Sequence, residues 1–218
     1  MDKKMQPLEY DLLPGQEVRV EEGRMLVSSH FQSTQLEARF NRNRVEEGAR
    51  LILMGLGVDL TDHNFATTPK RVADVYEEMF CPKRTGWPVF NEEYTDIVIV
   101  KGHTFYTMCP HHMLPVEIRA SVAYFPNGKV IGASKLCRLI HEVNRMPLTQ
   151  EKLTDLICKA IRDYTGGTSR GEAVLLQGEH DCFKIRGIKS DASMITYKFH
   201  GAFEEGENQR RFLELVRL

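Results

Sequence analysis

The chain has 218 residues, of which 42% are hydrophobic and 27% are charged, so it is long enough to bury a core and to hold one or two domains. Its 29 basic and 30 acidic side chains nearly cancel, which argues against nucleic-acid and membrane partners. The N-terminus has no apolar run of signal-peptide length, and no segment is apolar enough to span a bilayer. We therefore expect a cytoplasmic protein. Its five cysteines, an odd number, argue against a disulfide framework and favour metal binding or plain burial.

The N-terminal part of the chain divides into an arm and a helix. Residues 1–35 are polar and irregular, and we interpret them as a loosely attached arm. The apolar residues of segment 36–56 have helical spacing, and Gly55 or Gly57 is suited to end that helix. This helix is expected to pack one face on a core.

A second helix is predicted in TTPKRVADVYEEMF. Thr67 or Thr68 is a suitable N-cap, and Pro69 fits the first helical position. The proline- and glycine-containing segment CPKRTGWPVFNEEYTD then predicts a loop, and IVIVKG predicts a strand. Residues 36–95 are therefore expected to supply helices and a loop ahead of the remaining domain.

The next segments predict strands and helices in pairs. VEIRASVAYF alternates, with one face formed by Ile118, Ala120, Val122 and Tyr124, and a Pro-Asn-Gly turn leads to a short returning strand. SKLCRLIHEVNRM and TQEKLTDLICKAIRDYT each have helical periodicity, with Ser134 and Thr149 as the N-caps. Both helices are expected to be half-buried.

Two long strands are predicted to complete the domain, EAVLLQGEHDCFKIRG and SMITYKFHGAF. If the first is extended throughout, one face carries the same-parity residues His180, Cys182, Lys184 and Arg186. The order strand, strand, helix, helix, strand, strand indicates an α+β domain preceded by helices.

Cysteine and histidine cluster in two places about seventy residues apart. Cys109 and His112 form a C-x-x-H pair, which Pro110 favours at a strand end or turn, and His180 lies beside Cys182 in the second cluster. Thiolate sulfur and imidazole nitrogen are zinc ligands, and Cys109, His112 and Cys182 fit one ion. Three protein ligands with an open position are typical of catalytic zinc. Spacing alone leaves open that these are inert buried cysteines beside surface histidines.

Several segments, in this order and spacing, resemble GTP cyclohydrolase I: MCPHHMLP, VAYFPNGKVIGASKLCRLIHEVNRMPLTQEKLT and GEHDCFKIRG. The resemblance extends to LGVDLTDHNFATTPKRVADVYEEMF and to GAFEEGENQRRFLELVR near the C-terminus. It covers most of residues 36–218 and leaves the arm, residues 1–35, outside.

The resemblance implies a tunnelling fold (T-fold). Such a subunit is α+β, with a four-stranded antiparallel sheet and two helices on one face, here preceded by N-terminal helices. Residues 96–218 would form this core. Subunits of the family associate into a barrel, typically as a decamer of two pentameric rings with active sites at subunit interfaces, so a homo-oligomer is expected.

The resemblance also implies a metal centre. Zn²⁺ would be the cofactor, held by Cys109, His112 and Cys182. His111 and His180 would transfer protons beside the metal. The alternative for either histidine is a supporting or solvent-facing role.

GTP is the implied substrate. Gln150 and Glu151 match the family's guanine-recognition pair, and a carboxylate suits the N1–H and amino group that distinguish guanine from adenine. Taken alone, Glu151 is a first-turn acid stabilised by the helix dipole. Ribose and triphosphate binding is implied for Ser134, Lys135, Arg138, Arg186 and, from another subunit, Arg71. Without the resemblance, Lys135 and Arg71 would be ordinary exposed charges.

The implied reaction is zinc-dependent hydrolysis and rearrangement of GTP to 7,8-dihydroneopterin triphosphate with release of formate. It begins with addition of water at the electron-poor C8 of guanine. Two alternatives remain open at this point. One is a non-catalytic relative that binds GTP, and the other is an enzyme of the same fold that stops at formate release or uses another purine.

The chain departs from the family pattern in three places. Pro110 stands where many members have Glu, and Asp74 stands where some have a basic residue. The segment SMITYKF replaces a threonine-rich stretch. None of these departures removes an expected zinc ligand or the guanine pair.

Overall fold

The computed structural model describes residues 16–21, 24–29, 40–81 and 89–217, the first two ranges by their backbone alone. Its strands are β1 (Gln16–Glu21), β2 (Arg24–Ser29), β3 (Val89–Asn91), β4 (Val98–Met108), β5 (Pro115–Phe125), β6 (Lys129–Ile131), β7 (Gly171–His180) and β8 (Met194–Gly201). Its helices are α1 (Arg42–Gly55), α2 (Thr68–Phe80), α3 (Ala133–Val143), α4 (Gln150–Tyr164), α5 (Asp181–Lys184) and α6 (Gly206–Arg217), with a 3₁₀ turn at Ala202–Glu204.

The centre of the fold is a four-stranded antiparallel sheet in the order β4-β5-β7-β8. The predicted alternation of β5 is confirmed, because its even-numbered apolar residues lie in the main core beneath α3 and α4. The odd-numbered Ala123 and Phe125 face the other side, where Phe203 and Phe212 pack. The predicted α+β class, with a four-stranded sheet, two helices on one face and helices ahead of it, is therefore confirmed.

The predicted start of α4 is confirmed, but that of α3 is wrong. Thr149 caps α4, since its hydroxyl accepts a hydrogen bond from the backbone N–H of Lys152 at 3.3 Å. Ser134 lies inside the first turn of α3, and Gly132 is the N-cap. Gly132 has the non-helical backbone, and its carbonyl already accepts from the N–H of Lys135 at 2.8 Å.

The strand after the Pro-Asn-Gly turn exists, but it does not return along β5. β6 pairs instead with β3 in a separate two-stranded sheet. Both edges of β5 are already occupied, by β4 and by β7, so no position beside it is open. The hydroxyl of buried Tyr124 accepts from the N–H of Ile131 at 2.6 Å, which holds β6 at this end of the sheet.

The predicted long strand that contains His180 and Cys182 is shorter than expected. β7 ends at His180, and Asp181–Lys184 form the one-turn helix α5, so the same-parity arrangement of Cys182, Lys184 and Arg186 is wrong. The reason lies in the partner strand. His180 pairs with Val116, next to Pro115, which begins β5 and has no N–H to extend the ladder.

The N-terminal helices α1 and α2 pack against each other. Asn41 caps α1, which ends at Gly55 as predicted. Arg42 on α1 pairs with Glu46 and with Asp74 and Glu77 on α2, so Asp74, one of the departures from the family pattern, has a partner within the chain. Within the arm, the described residues form the antiparallel hairpin β1-β2, which was not predicted. The rest of the arm lies outside the described residues.

No helix in the described part of the chain combines the length and apolar character needed to cross a membrane.

We predict that Thr149→Ala lowers the free energy of unfolding by about 1 kcal/mol, because the first turn of α4 loses its side-chain cap. Urea denaturation at one fixed protein concentration measures the change. Thr149→Ser is the matched control, since it keeps the hydroxyl. An equal loss in both variants would show that the Thr149 methyl group, and not the cap, is responsible.

Candidate functional site

Two cysteines and a histidine meet where β4 and β7 end and β5 begins. Cys109 follows β4, His112 lies in the loop to β5, and Cys182 lies in α5. Their ligand atoms are all within 4.8 Å of one another, and Cys109 Sγ is 3.8 Å from His112 Nδ1. Cys109 is buried, Cys182 is partly buried and His112 is exposed, so the cluster opens to solvent on one side. These three residues, the trio expected from the sequence, could hold a metal ion.

The loop that carries two of these residues is closed by its own backbone. The N–H of Cys109 donates to the carbonyl of Leu114 at 2.9 Å, and the N–H of Met113 donates to the carbonyl of Cys109 at 2.9 Å. Met113 has a left-handed φ of 53°, which lets the chain turn back within this short span. The pair is thus built on a strand end and a turn, as Pro110 led us to expect.

The electrostatics of the cluster favour a bound cation. Burial raises the pKa of the Cys182 thiol, and contact with the neighbouring Cys109 raises it further. Two adjacent thiols cannot both ionise easily without a positive charge between them. A metal ion supplies that charge and stabilises both thiolates.

A cavity of about 220 Å³ adjoins the cluster. It is lined by Thr107, Cys109, Pro110, His111, Val116, Ile118, Leu148, Thr149, Gln150, Glu151, His180, Cys182, Phe183 and Met194. Six expected site residues therefore border one space: Cys109, His111, Gln150, Glu151, His180 and Cys182. The cavity has apolar walls from β5 and polar groups from the start of α4.

Gln150 is buried, and its side chain is fully engaged within the protein. Its Oε1 accepts a hydrogen bond from His180 Nε2 at 2.8 Å. Its Nε2 donates to the carbonyls of Leu176 at 3.2 Å and Met194 at 3.0 Å, and lies 3.1 Å from Thr196 Oγ1. This arrangement fixes the hydrogen of His180 on Nε2 and leaves Nδ1 unprotonated in the neutral ring.

The two histidines expected to transfer protons have different surroundings. His180 is partly buried, and burial holds its pKa below the ordinary value although the charge of Glu151 acts in the opposite direction. His111 is exposed, with Nδ1 3.9 Å from Cys109 Sγ. His180 therefore has a fixed orientation, whereas His111 faces solvent beside the cluster.

Sequence reasoning missed two residues, Gly178, which lies against Gln150, and Thr107, which lines the cavity. A Cβ atom at Gly178 would lie 2.1 Å from Gln150 Oε1, so only glycine allows this approach. The hydroxyl of buried Thr107 has no hydrogen-bond partner among the described residues. A glycine inside the strand pattern of β7 was a sequence signal for the close approach at Gly178. Nothing in the sequence distinguishes Thr107.

The residues expected at the ribose and triphosphate are not all at this end of the sheet. Ser134 and Lys135 lie in the first turn of α3, a few residues after Ile131. The N–H of Ile131 donates a hydrogen bond to the hydroxyl of Tyr124, which lies near the far end of β5. Val116, at the metal end, is eight residues from Tyr124, or about 26 Å along the strand. Arg186 is the one of these residues whose charge acts on the cluster, at the Cys182 thiol.

The remaining two expected phosphate contacts are Arg138, about one turn along α3, and Arg71 on α2. Both are exposed, and neither borders the cavity. A single chain therefore brings together the expected metal ligands, the two histidines and the guanine pair, but of the expected phosphate-binding residues only Arg186.

Comparison with known proteins gives a consistent result. A family model described as GTP cyclohydrolase I matches residues 45–217. The chain is 40% identical to GTP cyclohydrolase 1 of Rhodopirellula baltica over 173 residues, which are 77% of this chain and 75% of the relative. It is 36% identical to GTP cyclohydrolase 1 of Clostridium perfringens over 174 residues, which are 77% of this chain and 93% of the relative. It is 39% identical to GTP cyclohydrolase 1 of Geobacillus kaustophilus over 177 residues, which are 78% of this chain and 93% of the relative.

The matched region contains the whole four-stranded sheet, the cysteine and histidine cluster, the cavity beside it and both covering helices. The chain therefore belongs to the GTP cyclohydrolase I family.

Proposed function

We propose that this protein hydrolyses and rearranges GTP to 7,8-dihydroneopterin triphosphate with release of formate, using Zn²⁺ held by Cys109, His112 and Cys182. The observation that carries the proposal is a cluster of three metal-ligand atoms within 4.8 Å that borders a cavity containing Glu151 and His180. When bound, zinc supplies a Lewis acid that lets water add to C8 of guanine at neutral pH. Three protein ligands leave the open position that this chemistry needs.

His180 is suited to move protons during ring opening. Gln150 holds the ring by its Nε2–H, so Nδ1 is the atom that can accept and return a proton. Its lowered pKa keeps the imidazole neutral and able to accept at neutral pH. To His111, exposed beside Cys109, we assign delivery of a proton to the ring nitrogen as its bond to C8 breaks. Both roles follow the resemblance to the family.

Glu151 is the residue we assign to guanine. It lies in the first turn of α4 on the cavity wall, exposed and free to accept from N1–H and the exocyclic amino group. The side chain of Gln150 has its hydrogen bonds inside the protein, so we assign it to holding His180 and the start of α4. The unpartnered hydroxyl of Thr107 offers one further polar contact.

We further propose that the active enzyme is a homo-oligomer, a decamer of two pentameric rings as the family resemblance implies, located in the cytoplasm. Ser134, Lys135, Arg138 and Arg71 would then reach the triphosphate of a neighbouring subunit. The sheet supports assembly because β4 and β8 are its two outer strands, and each has an edge without a partner among the described residues. Head-to-tail addition at these edges can close a ring.

The first of three predictions about the proposed function concerns the products of the reaction. Incubation of the zinc-loaded protein with GTP is expected to yield formate and dihydroneopterin triphosphate in equal amounts, the latter read as neopterin fluorescence after oxidation and dephosphorylation. Tight GTP binding without either product would favour the non-catalytic alternative. Formate without neopterin would favour an enzyme that stops at ring opening.

The second prediction concerns the metal. Cys109→Ser, His112→Ala and Cys182→Ser are each expected to lose most of the zinc that the wild type retains after dialysis against metal-free buffer, because two ligands bind far more weakly than three. Metal analysis per chain measures the loss. Cys81→Ser changes an exposed cysteine elsewhere and serves as the control. Retained zinc in all three variants would place the ion at other residues.

The third prediction concerns specificity. Glu151→Ala is expected to weaken GTP recognition by about 10²-fold or more in kcat/KM, because the guanine N1–H and amino group lose their acceptor. Asp155→Ala is the matched control, since it removes another exposed carboxylate of α4, one paired with Lys198 and absent from the cavity lining. Equal effects of the two substitutions would contradict the assignment of Glu151.

A further inference from the structure

Two histidines outside the metal cluster face each other between a strand and a helix. His103 lies on β4 and His141 in the last turn of α3. Their Nε2 atoms are 3.2 Å apart, and their rings are nearly perpendicular at 82°. His103 is six residues before Cys109, about 20 Å along the strand, so this pair is separate from the Cys109, His112 and Cys182 cluster.

A bulge in β4 is what directs His103 toward α3. The register of β4 against β5 shifts between Val100 and His103, across Lys101 and Gly102. Before the bulge, the even-numbered Val98 and Val100 pack on the main core, whereas after it the odd-numbered residues do. Without this inserted residue, position 103 would lie on the opposite face of the sheet.

The distances between the two rings match those of two imidazoles bound to one ion. A tetrahedral zinc about 2.05 Å from each Nε2 would hold the nitrogens about 3.3 Å apart and the ring centroids about 5.2 Å apart. The observed separations are 3.2 Å between nitrogens and 5.2 Å between centroids. Phe105, buried beneath both rings at centroid distances of 6.2 Å and 6.1 Å, limits their movement.

The surroundings keep both imidazoles in the form that binds metal. Burial lowers the pKa of His103 and of His141, and for His103 the neighbouring imidazole lowers it further. Both rings are therefore neutral at neutral pH, and each has a nitrogen lone pair available to an ion. His141 is exposed on its outer side, which leaves room for water to complete the coordination.

We propose that His103 and His141 form a second metal site, specific for a late first-row divalent cation such as Zn²⁺, that joins β4 to the end of α3. Imidazole nitrogen is a preferred ligand for these ions, whereas Mg²⁺ and Ca²⁺ take oxygen. With two protein ligands, the site binds more weakly than the three-ligand cluster and fills only when free metal is in excess. Its effect is a link between an outer strand of the sheet and a covering helix.

The test uses the full-length protein that already retains its tightly bound zinc. After dialysis against excess Zn²⁺, the wild type is expected to hold about one zinc ion more per chain than His103→Gln or His141→Gln. Thermal unfolding provides the second readout, because ligand bound only to the folded state raises Tm. The added zinc should raise Tm in the wild type and leave both variants unchanged.

His63→Gln is the matched control, because it removes a highly exposed histidine next to Asp62 and leaves the pair intact. It should bind as much added zinc as the wild type. If the wild type and the pair variants take up equal zinc, the two rings share only a hydrogen bond and the proposal is overturned. Since His141 is exposed, His141→Gln decides the question even where His103→Gln fails to fold.

Discussion

The pairing of β5 with a neighbour on each side is the constraint on which the site depends. β5 begins at Pro115, which pairs with the last residue of β4, and the next residue, Val116, pairs with the last residue of β7. The strands β4 and β7 must therefore end at the same end of the sheet. The β4–β5 loop and α5 therefore meet there, and Cys109, His112 and Cys182 come together although some seventy residues separate them in sequence.

Gln150 links the sheet to the proposed catalytic residue His180. Its buried amide joins the start of α4 to β8 and to β7, including the ring of His180 at the end of β7, so three elements are held by one side chain. A buried amide that lost any of these partners would leave polar atoms unpaired at a cost of about 1–3 kcal/mol each. Gly178 makes the arrangement possible, because any larger residue would displace the amide oxygen. A residue first assigned to the substrate is thus central to the position of a proposed catalytic one.

Sequence patterns correctly predicted several features that depend on residues close together in the chain. The cap and periodicity of α4 and the alternation of β5 were predicted correctly, and the chemistry of cysteine and histidine was enough to select the three residues that the fold brings together. Apart from the N-cap of α3, the errors arose where pairing between distant segments determines the structure. The end of β7 depends on the proline of its partner, and the position of β6 depends on the occupied edges of β5. Neither feature can be predicted from the sequence of one segment alone. The same is true of the bulge that turns His103 toward α3.

The positions of the expected base and phosphate residues also bear on assembly. Glu151 borders the cavity beside the metal cluster, whereas Ser134 and Lys135 lie at the start of α3, beside the opposite end of β5, and do not border that cavity. We therefore expect the two groups of residues to act on one GTP from different chains. The sheet order supplies the means, since its outer strands β4 and β8 run in opposite directions and a neighbouring copy can continue the antiparallel alternation. In the proposed assembly, oligomerisation would complete the substrate site as well as add stability.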